Sequence, residues 1–402
     1  MSKQSYIVDG VRTPIGNIGG ALAPVRTDDL LTIALKGLIK KNPGLDLSAI
    51  DDVIIGCANQ AGEDNRNVAR MSLLMAGLPI SVPGETVNRL CASGMSSVIH
   101  AHRAIQTSDG DLFISGGVEN MSRGPWVIGK ASSAYGRDSK MYDSSFGWRF
   151  INPALQSVYG AEGMGETAEN LAEKYQISRI RQDQFAYNSQ SKVAAAYKAN
   201  FFNDEIIPVE VIKSKHERYI LDKDEFPREN TTIEVLSTLR PAFKKEGSVT
   251  AGNSSGLNDG AAALLIASEQ AIVTHSLQPL ARIVASAVAG VEPRIMGIGP
   301  VPASQKALYK AGLTLADMDH IEINEAFAAQ VLACTDALQL DAEDPRINPQ
   351  GGAISLGHPL GMSGCRIIHS AALQLKRNKG RYALVTMCIG VGQGYATIIE
   401  RV

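Results

Sequence analysis

The chain repeats one sequence pattern in its two halves, and this repeat constrains its fold more than any other feature. Residues 44–55 (GLDLSAIDDVII) align without a gap with residues 312–323 (GLTLADMDHIEI), at an offset of 312 − 44 = 268. In both segments a glycine follows an apolar helical stretch and precedes an Asp-rich turn and a β-branched run. This order predicts a helix, a turn and a buried strand. The chain is therefore predicted to contain two related halves.

The two halves match again further along, in the same order. A Ser-Gly pair opens an apolar stretch at residues 93–94 and at residues 363–364, an offset of 363 − 93 = 270. Short apolar strands follow at 112–117 (LFISGG) and 384–389 (LVTMCI). Chance likeness between short segments is the alternative. The alternation of strands and helices predicts the α/β class, with two pseudo-symmetric halves and largely parallel sheets.

The length of 402 residues predicts two or three domains. The stretch 123–247 has no counterpart in the second half, is rich in Gly, Ser and charges, and carries strong helical patterns near 166–175 and 180–200. We predict that it is an inserted domain over one face of the fold. The first half then comprises residues 1–122 and 248–275, and the second half comprises residues 276–402.

Composition excludes several classes of protein. The net charge of −2 gives no electrostatic reason to expect nucleic acid or an anionic membrane as a partner. The sequence has no apolar run of about 18 residues and does not begin like a secretory signal, so a cytoplasmic location is expected. The five cysteines are scattered without a C-x-x-C pair, so neither a disulfide framework nor a metal site is predicted.

The repeat places a cysteine and a histidine at nearly equivalent loop positions. Cys91 lies just before residues 93–94, and His358 lies just before residues 363–364. If the halves pack about a pseudo-twofold axis, both loops face one site. A thiol at a strand-to-helix turn adjoins free helix N–H groups, so we expect a pKa lowered from ~8.5 toward about 7. A buried, inert cysteine is the alternative.

His358 and two further polar positions fit a catalytic site. His358 lies in the glycine-rich segment 351–361, where it suits a base or a hydrogen-bond donor, although it could instead cap the loop. Cys388 ends an apolar strand before a glycine-rich turn, a common active-site position, with core packing as the alternative. Asn324 follows the strand 321–323 and could orient a water or simply cap the next helix.

These positions lie in motifs that together resemble the thiolase family. The motifs are residues 88–91 (NRLC), 249–256 (VTAGNSSG), 324–327 (NEAF), 357–359 (GHP) and 388–390 (CIG). The resemblance covers essentially the whole chain. It implies a five-layer αβαβα core with an inserted loop domain that binds CoA, and a homodimer or tetramer. It also implies an acyltransferase that uses coenzyme A as a substrate and has no permanently bound cofactor.

The resemblance also implies a role for each catalytic residue. Cys91 is implied to be the nucleophile that carries the acyl group, His358 its activator and Cys388 the acid/base. Asn324 is implied to hold a water beside His358 as one oxyanion hole. The backbone N–H groups of Cys91 and Gly390 are implied to form a second oxyanion hole. A covalent acyl-enzyme of this kind gives ping-pong kinetics.

Contacts to CoA are carried over from the same motifs. Ser255 is implied to contact the pantetheine, Arg228 and Phe243 the adenine end, and Met164 and Phe327 the walls of the tunnel. Three further residues are expected near CoA: Ala251, Met296 and Leu155.

Several segments resemble the β-ketoadipyl-CoA (3-oxoadipyl-CoA) branch, which forms succinyl-CoA and acetyl-CoA. They are residues 60–70, 147–153, 291–300 and 388–394. Gly163 stands where biosynthetic acetoacetyl-CoA thiolases carry a His. However, the β-ketoadipyl-CoA branch often has a Pro where this chain has Gly165, so an acetoacetyl-CoA or broad-range 3-ketoacyl-CoA thiolase remains an alternative.

A dicarboxylate-derived substrate needs a cation for its distal carboxylate, because an unpaired buried carboxylate is costly. We expect Arg149 or Arg123 to be that cation, and a surface salt bridge is the alternative for each.

Two other classes of protein compete with a thiolase. A β-ketoacyl synthase would use a second His where this chain has Cys388. A thiolase-like acyl-CoA-binding protein would lack Cys91 or His358.

Overall fold

A computed structural model describes residues 3–214 and 217–402. The first part of the chain alternates strands and helices, as predicted. Its elements are β1 (Ser5–Arg12), β2 (Gly16–Asn17), α1 (Thr27–Lys41), β3 (Asp52–Gly56), α2 (Val68–Ala76), β4 (Gly84–Val87), α3 (Ser93–Thr107) and β5 (Leu112–Asn120).

A middle stretch of mostly helical structure follows, and the alternation then returns. The middle elements are β6 (Trp126–Ile128), β7 (Met141–Asp143), α4 (Pro153–Tyr159), α5 (Met164–Lys174), α6 (Arg179–Lys198), β8 (Val209–Ser214), β9 (Glu217–Leu221) and α7 (Ile233–Thr238). The remaining elements are β10 (Asn258–Ser268), α8 (Glu269–Thr274), β11 (Ala281–Gly290), α9 (Pro300–Ala311), β12 (His320–Ile323), α10 (Ala328–Ala337), α11 (Ala353–Leu356), α12 (Leu360–Asn378), β13 (Tyr382–Ile389) and β14 (Gln393–Arg401).

Ten of the fourteen strands in the described residues form one long sheet rather than the two largely parallel sheets expected, and β6–β7 and β8–β9 are separate hairpins. The order in the long sheet is β12-β13-β14-β11-β1-β10-β5-β3-β4, with β2 beside β10, and β1 and β11 join the halves through only two residue pairs. Only β3, β4 and β5 in one half and β12 and β13 in the other run parallel to a neighbour. The expectation was wrong because β13 turns back tightly into β14, and a short turn joins antiparallel strands.

The strand order confirms the internal repeat. The order β1-β10-β5-β3 in the first half matches β11-β14-β13-β12 in the second, and the same directions recur. The starts of β3 and β12 differ by 320 − 52 = 268 residues, the offset found in the sequence. Helices α1 and α3 likewise correspond in position to α9 and α12.

The layers alternate as αβαβα. Helices α3 and α12 lie at the centre, and their apolar residues share one cluster with inward-facing residues of both sheet halves, such as Leu264 and Val385. Alternate residues of the same strands, such as Leu265 and Leu384, face outward. On one outer face they pack against α1 and α2, and on the other against α9 and α10. This period of two is what a sheet covered on both faces requires.

The two central helices approach closely at equivalent glycines. A side chain at Gly94 would collide with the backbone of Gly361, and one at Gly364 would collide with the backbone of Met95. Gly94 and Gly364 differ by the repeat offset of 270, so each half contributes the same small residue to the crossing. This contact brings together the N-terminal ends of α3 and α12, which follow the loops of Cys91 and His358.

The described residues of the middle stretch do not build a separate hydrophobic core. Its buried residues join all three main clusters: Val211 lies in the first outer cluster, Val193 in the central cluster and Phe185 in the second outer cluster. It is also fixed to β1 by a buried ion cluster, in which Arg12 pairs with Asp224 at 2.7 Å and with Glu205 at 3.1 Å. The domain boundaries at 122/123 and 247/248 stay a prediction, and residues 1–2 of the first domain lie outside the described residues.

The length and apolar character of a helix decide whether it could cross a membrane. The longest helices are α6, with 20 residues, and α12, with 19. Among the described residues, no helix combines the length and the apolar character needed to cross a membrane. The expected cytoplasmic location stays a prediction.

Candidate active site

The cysteine loop lies between β4 and α3 and is held by its own side chains. Leu90 adopts a left-handed backbone with φ of 48°, which is uncommon for a branched residue and marks a constrained turn. Its N–H donates to Asn88 Oδ1 at 2.8 Å, and its carbonyl accepts from Ser93 Oγ at 2.7 Å. Cys91 follows this turn, two residues before α3 begins. The backbone therefore fixes the direction of the thiol.

The pKa of Cys91 does not follow the expectation of a lowered value. Its own N–H and that of Gly390 both bond to the sulfur and favour the thiolate, but desolvation is the larger effect and raises the pKa to about 11. Burial is difficult to judge from sequence, which is why the expectation was wrong. At neutral pH the resting thiol is therefore protonated. It needs a base to become a nucleophile.

His358 lies on the equivalent loop of the second half, and its hydrogen bonds define its tautomer. Ser363 Oγ donates to the Pro359 carbonyl at 2.8 Å, so it must accept from His358 Nδ1, which is 2.7 Å away. Nε2 then carries no proton and its lone pair is an acceptor. Burial, with a smaller contribution from Arg366, lowers the pKa of His358 to about 3, which keeps the ring neutral. A neutral imidazole with an unprotonated Nε2 can take a proton.

Asn324 lies beside this ring, as expected. Its Nδ2 is 3.4 Å from His358 Nε2, and its backbone N–H donates to the carbonyl of Thr386 on the neighbouring strand β13. Its Oδ1 is buried and accepts no hydrogen bond from any residue in 3–214 or 217–402. Asn324 therefore presents an acceptor as well as a donor next to the imidazole.

Cys388 lies near the end of β13, where its sulfur is close enough to Cys91 for the two to interact electrostatically. Burial is the main cause of the raised pKa of Cys388. Electrostatic interactions with Cys91 and Cys334 raise the pKa further. Gly390 follows in the next turn. A side chain there would lie 3.2 Å from Leu90 and 3.7 Å from Met164 Sδ, so glycine keeps the space beside the Cys91 loop open.

A buried carboxylate that the sequence analysis missed joins the two halves behind the site. Glu119, at the end of β5, accepts from the N–H groups of Ala58 at 3.0 Å, Asn59 at 2.9 Å and Gly361 at 2.9 Å. Desolvation raises its pKa to about 7. The only sequence signal was an acidic residue directly after the buried apolar strand 112–118.

Two more positioning residues were missed or only partly recognised. Asn258 accepts from the backbone N–H of His358 at 2.9 Å through Oδ1 and donates to the Gly16 carbonyl at 3.0 Å. Ser363 was recognised only as part of the repeat, and its position five residues after His358 was the available signal for its contact with the ring.

The segment expected to bind pantetheine adjoins the Asn324 loop. Ser255 N–H donates to the Ala326 carbonyl at 3.0 Å, and Ser254 pairs with Phe327 in a β-bridge. The Phe243 ring packs edge-on against the Phe327 ring, with centroids 6.1 Å apart. Together these contacts bring three of the expected CoA contacts, Ser255, Phe243 and Phe327, to one region near Asn324.

The other expected CoA contacts are more scattered. Arg228 is exposed and lies over the Phe226 ring at 5.4 Å, and Ala251 is exposed on a turn. Leu155 is partly buried on α4, whereas Met296 is only 3% exposed within the second outer cluster. Gly165 packs directly beneath the Phe243 ring, so a larger residue there would displace the ring.

The two arginines expected near a distal carboxylate differ in their partners. Arg123 Nε donates to Glu63 at 2.7 Å, and its Nη2 also bonds to Glu63. Arg149 instead donates to the Ser144 carbonyl at 3.4 Å and to Asn59 Oδ1 at 3.2 Å, and both of these acceptors are neutral.

Comparison with known proteins identifies relatives along the whole chain. The family model for the thiolase N-terminal domain matches residues 5–270, and the model for the thiolase C-terminal domain matches residues 277–401. A β-ketoadipyl-CoA thiolase of Acinetobacter baylyi and a 3-oxoadipyl-CoA/3-oxo-5,6-dehydrosuberyl-CoA thiolase of Escherichia coli K12 are each 56% identical over 400 residues, with full coverage of both chains. The structure of human mitochondrial 3-ketoacyl-CoA thiolase in complex with CoA is 42% identical, with a TM-score of 0.91, and the match covers 100% of this chain and 98% of that one.

Proposed function

Since this chain belongs to the thiolase family of acyltransferases, we propose that it cleaves 3-oxoadipyl-CoA with CoA to succinyl-CoA and acetyl-CoA. The proposal for the substrate rests on the two relatives that are 56% identical over the full chain and are named for 3-oxoadipyl-CoA or its synonym β-ketoadipyl-CoA. The observation that carries the chemistry is the convergence of parts from both halves. Cys91 comes from the first half, and Cys388 and the His358–Asn324 pair come from the second.

The first half-reaction transfers the acyl group to Cys91. His358 Nε2 takes the thiol proton, and the sulfur attacks the C3 carbonyl of the substrate. The C2–C3 bond then breaks, and its electron pair becomes the enolate of acetyl-CoA. The imidazolium Nε2–H and a water held by Asn324 stabilise the enolate oxygen, and Cys388 protonates C2 to release acetyl-CoA. Such oxyanion donors are typically worth about 10²–10³ in rate each.

The second half-reaction returns the acyl group to CoA. The Cys388 thiolate takes the proton of the incoming CoA thiol, which attacks the thioester on Cys91. The N–H groups of Cys91 and Gly390 are the proposed donors to the thioester oxygen, and their bonds to the Cys91 sulfur support this role. Succinyl-CoA leaves, and the Cys91 sulfur recovers its proton from His358. This sequence needs no metal or bound cofactor.

We propose that CoA binds along the segment that joins the Asn324 loop to the middle stretch. Ser255, Phe243 and Phe327 form one continuous region there, with Met164 beside the nucleophile. The exposed Arg228 is the proposed cation for the adenine end. The human relative solved with CoA supports binding of the same ligand in this family.

We also propose that the protein forms a homo-oligomer. The β6–β7 hairpin presents an exposed apolar surface: Trp126 is 67% exposed and Ile128 is 65% exposed, with Met141 on the paired strand. Apolar patches of this kind mark association surfaces. Light scattering with size-exclusion chromatography tests this, and Trp126→Ser with Ile128→Ser should reduce the assembly size.

The experiment that tests the function is CoA-dependent thiolysis of 3-oxoadipyl-CoA and acetoacetyl-CoA side by side, followed by loss of the 3-oxoacyl-CoA enolate absorbance. A preference of about tenfold or more for 3-oxoadipyl-CoA is expected, equivalent to ~1.4 kcal/mol. A preference for acetoacetyl-CoA would keep the thiolase mechanism and reject the proposed substrate.

A further inference from the structure

We propose that Arg149 binds the distal carboxylate of the substrate and makes this enzyme selective for dicarboxylate-derived 3-oxoacyl-CoA. This inference rests on the proposed function, since only such a substrate carries a second negative group. The carboxylate of 3-oxoadipyl-CoA is the third carbon beyond the carbonyl that Cys91 attacks. A residue that recognises it must therefore lie on the wall of the site near the nucleophile loop.

The guanidinium of Arg149 has hydrogen-bonding capacity to spare. It has five N–H donors, and the two bonds that it makes, to Ser144 O and to Asn59 Oδ1, are long and go to neutral oxygens. Within the described residues, no carboxylate forms an ion pair with it. A partly buried cation without a counter-charge gains most from an added carboxylate, because the charge-assisted, bidentate pair replaces weak neutral contacts.

Hydrogen bonds to two adjacent residues, Ala58 and Asn59, connect Arg149 with the loop of Cys91. Arg149 donates to Asn59 at 3.2 Å. The carbonyl of the adjacent residue, Ala58, accepts from Asn88 Nδ2 at 3.0 Å, and Asn88 Oδ1 accepts from Leu90 N–H at 2.8 Å. Leu90 directly precedes Cys91. Arg149 is therefore connected to the loop of Cys91 through one long bond to Asn59 and two shorter bonds of Asn88.

The segment that carries Arg149 is itself fixed in place. Gly147 and Phe150, on either side, both have left-handed φ values, of 77° and 51°, which fold the chain back on itself. The indole N–H of Trp148 donates to the Glu162 carbonyl at 3.2 Å, which ties the segment to the start of α5. Met164, in the first turn of that helix, lies beside Gly390. The segment of Arg149 is therefore tied, through Trp148, to the start of a helix whose first residue lies beside Gly390.

The neighbouring arginines are already engaged. Arg123 has Glu63 as an ion-pair partner, so a substrate carboxylate would have to displace an existing one. Arg89, which is closer to Cys91 in sequence, donates to Ser96 Oγ at 3.1 Å and to Gln393 Oε1 at 3.3 Å, and it lies over the Tyr395 ring at 5.5 Å. Arg149 differs from Arg123 in having no ion-pair partner among the described residues, and it makes fewer contacts than Arg89.

The test compares two substrates of equal length that differ only in the distal group. Thiolysis of 3-oxoadipyl-CoA and of 3-oxohexanoyl-CoA is measured for the wild type, Arg149→Met, Arg149→Lys and the control Arg137→Met. Arg137 is an exposed arginine in the same middle stretch. We expect Arg149→Met to lower kcat/KM for 3-oxoadipyl-CoA by about 10- to 100-fold, mainly through KM, since hydrogen bonds to charged groups carry this much binding energy. Turnover of 3-oxohexanoyl-CoA should change little, Arg149→Lys should recover part of the loss, and Arg137→Met should match the wild type.

The outcomes separate the two proposals. If the wild type does not prefer 3-oxoadipyl-CoA over 3-oxohexanoyl-CoA, the proposed substrate is wrong, and the role of Arg149 is wrong with it. If the wild type shows the preference and Arg149→Met loses equal activity on both substrates, the proposed substrate stands and the proposed role of Arg149 is wrong. Retained thiolysis of 3-oxohexanoyl-CoA by Arg149→Met shows that the variant is folded.

Discussion

The loops before α3 and α12 occupy equivalent positions in the repeat but present different side chains. In the first half, the loop before α3 presents Cys91 after the left-handed residue Leu90. In the second half, the loop before α12 presents His358, whose Nδ1 and backbone N–H both have a partner. The serines at equivalent positions of the two loops differ in their hydrogen-bond partners. Ser93 bonds to the backbone of its own loop, whereas Ser363 bonds both to the Pro359 carbonyl and to the His358 ring.

This difference shows how a duplicated fold can build one asymmetric site. The symmetric part is the crossing of α3 and α12 at Gly94 and Gly364, which brings both loops to the same place. The asymmetric part is the pair of groups placed there, a protonated thiol and a neutral imidazole. Neither half holds both groups, so activity depends on the packing between the halves.

The largest expected effect comes from removing the nucleophile of the first half. Cys91→Ala should lower kcat by about 10⁴-fold or more, because no acyl-enzyme can form. Mass spectrometry after incubation with 3-oxoadipyl-CoA alone should show an acylated wild type and an unmodified variant. Cys334→Ala is the matched control, since Cys334 is a buried thiol on α10. Acylation of the Cys91→Ala enzyme would contradict the assignment.

The equivalent serines provide a sharper comparison of the two halves. Ser363→Ala removes the acceptor that fixes the His358 tautomer, so kcat should fall by about 10- to 100-fold, the usual size of losses from orienting groups. Ser93→Ala removes bonds within the cysteine loop and should lower the melting temperature more than it changes the pH dependence. A pH–rate profile that is altered by Ser93→Ala and unchanged by Ser363→Ala would reverse the proposed roles.

A smaller loss of stability, similar for the two halves, is expected from substitutions where α3 and α12 cross. Gly94→Ala and Gly364→Ala each place a methyl group against backbone of the other helix, and overpacking of this kind costs about 1–3 kcal/mol. Gly44→Ala is the control, since an added Cβ there meets no atom within 4 Å. Denaturant unfolding should show similar losses in the free energy of unfolding for Gly94→Ala and Gly364→Ala. The loss for Gly44→Ala should be about 0.5 kcal/mol or less. Unequal losses would show that the halves do not share the crossing equally.

The sequence predicted the features that depend on local pattern. The repeat predicted two halves with matched elements, and it predicted that Cys91 and His358 lie on equivalent loops. The strand directions were wrong in part, because hydrophobic periodicity reports burial and carries no information about whether neighbours run parallel. Glu119 was missed because its partner Gly361 is 242 residues away. The pKa of Cys91 was misjudged because desolvation depends on packing from both halves.

The pH dependence of Cys91 alkylation by iodoacetamide tests the central claim most directly, namely that a protonated thiol from one half is activated by a neutral imidazole from the other. With the pKa of Cys91 raised to about 11, only the minor thiolate reacts, so the alkylation rate should rise about tenfold per pH unit between about pH 6 and pH 10 without levelling off. A rate that levels off near pH 7 would instead reveal a preformed thiolate–imidazolium pair and contradict the account.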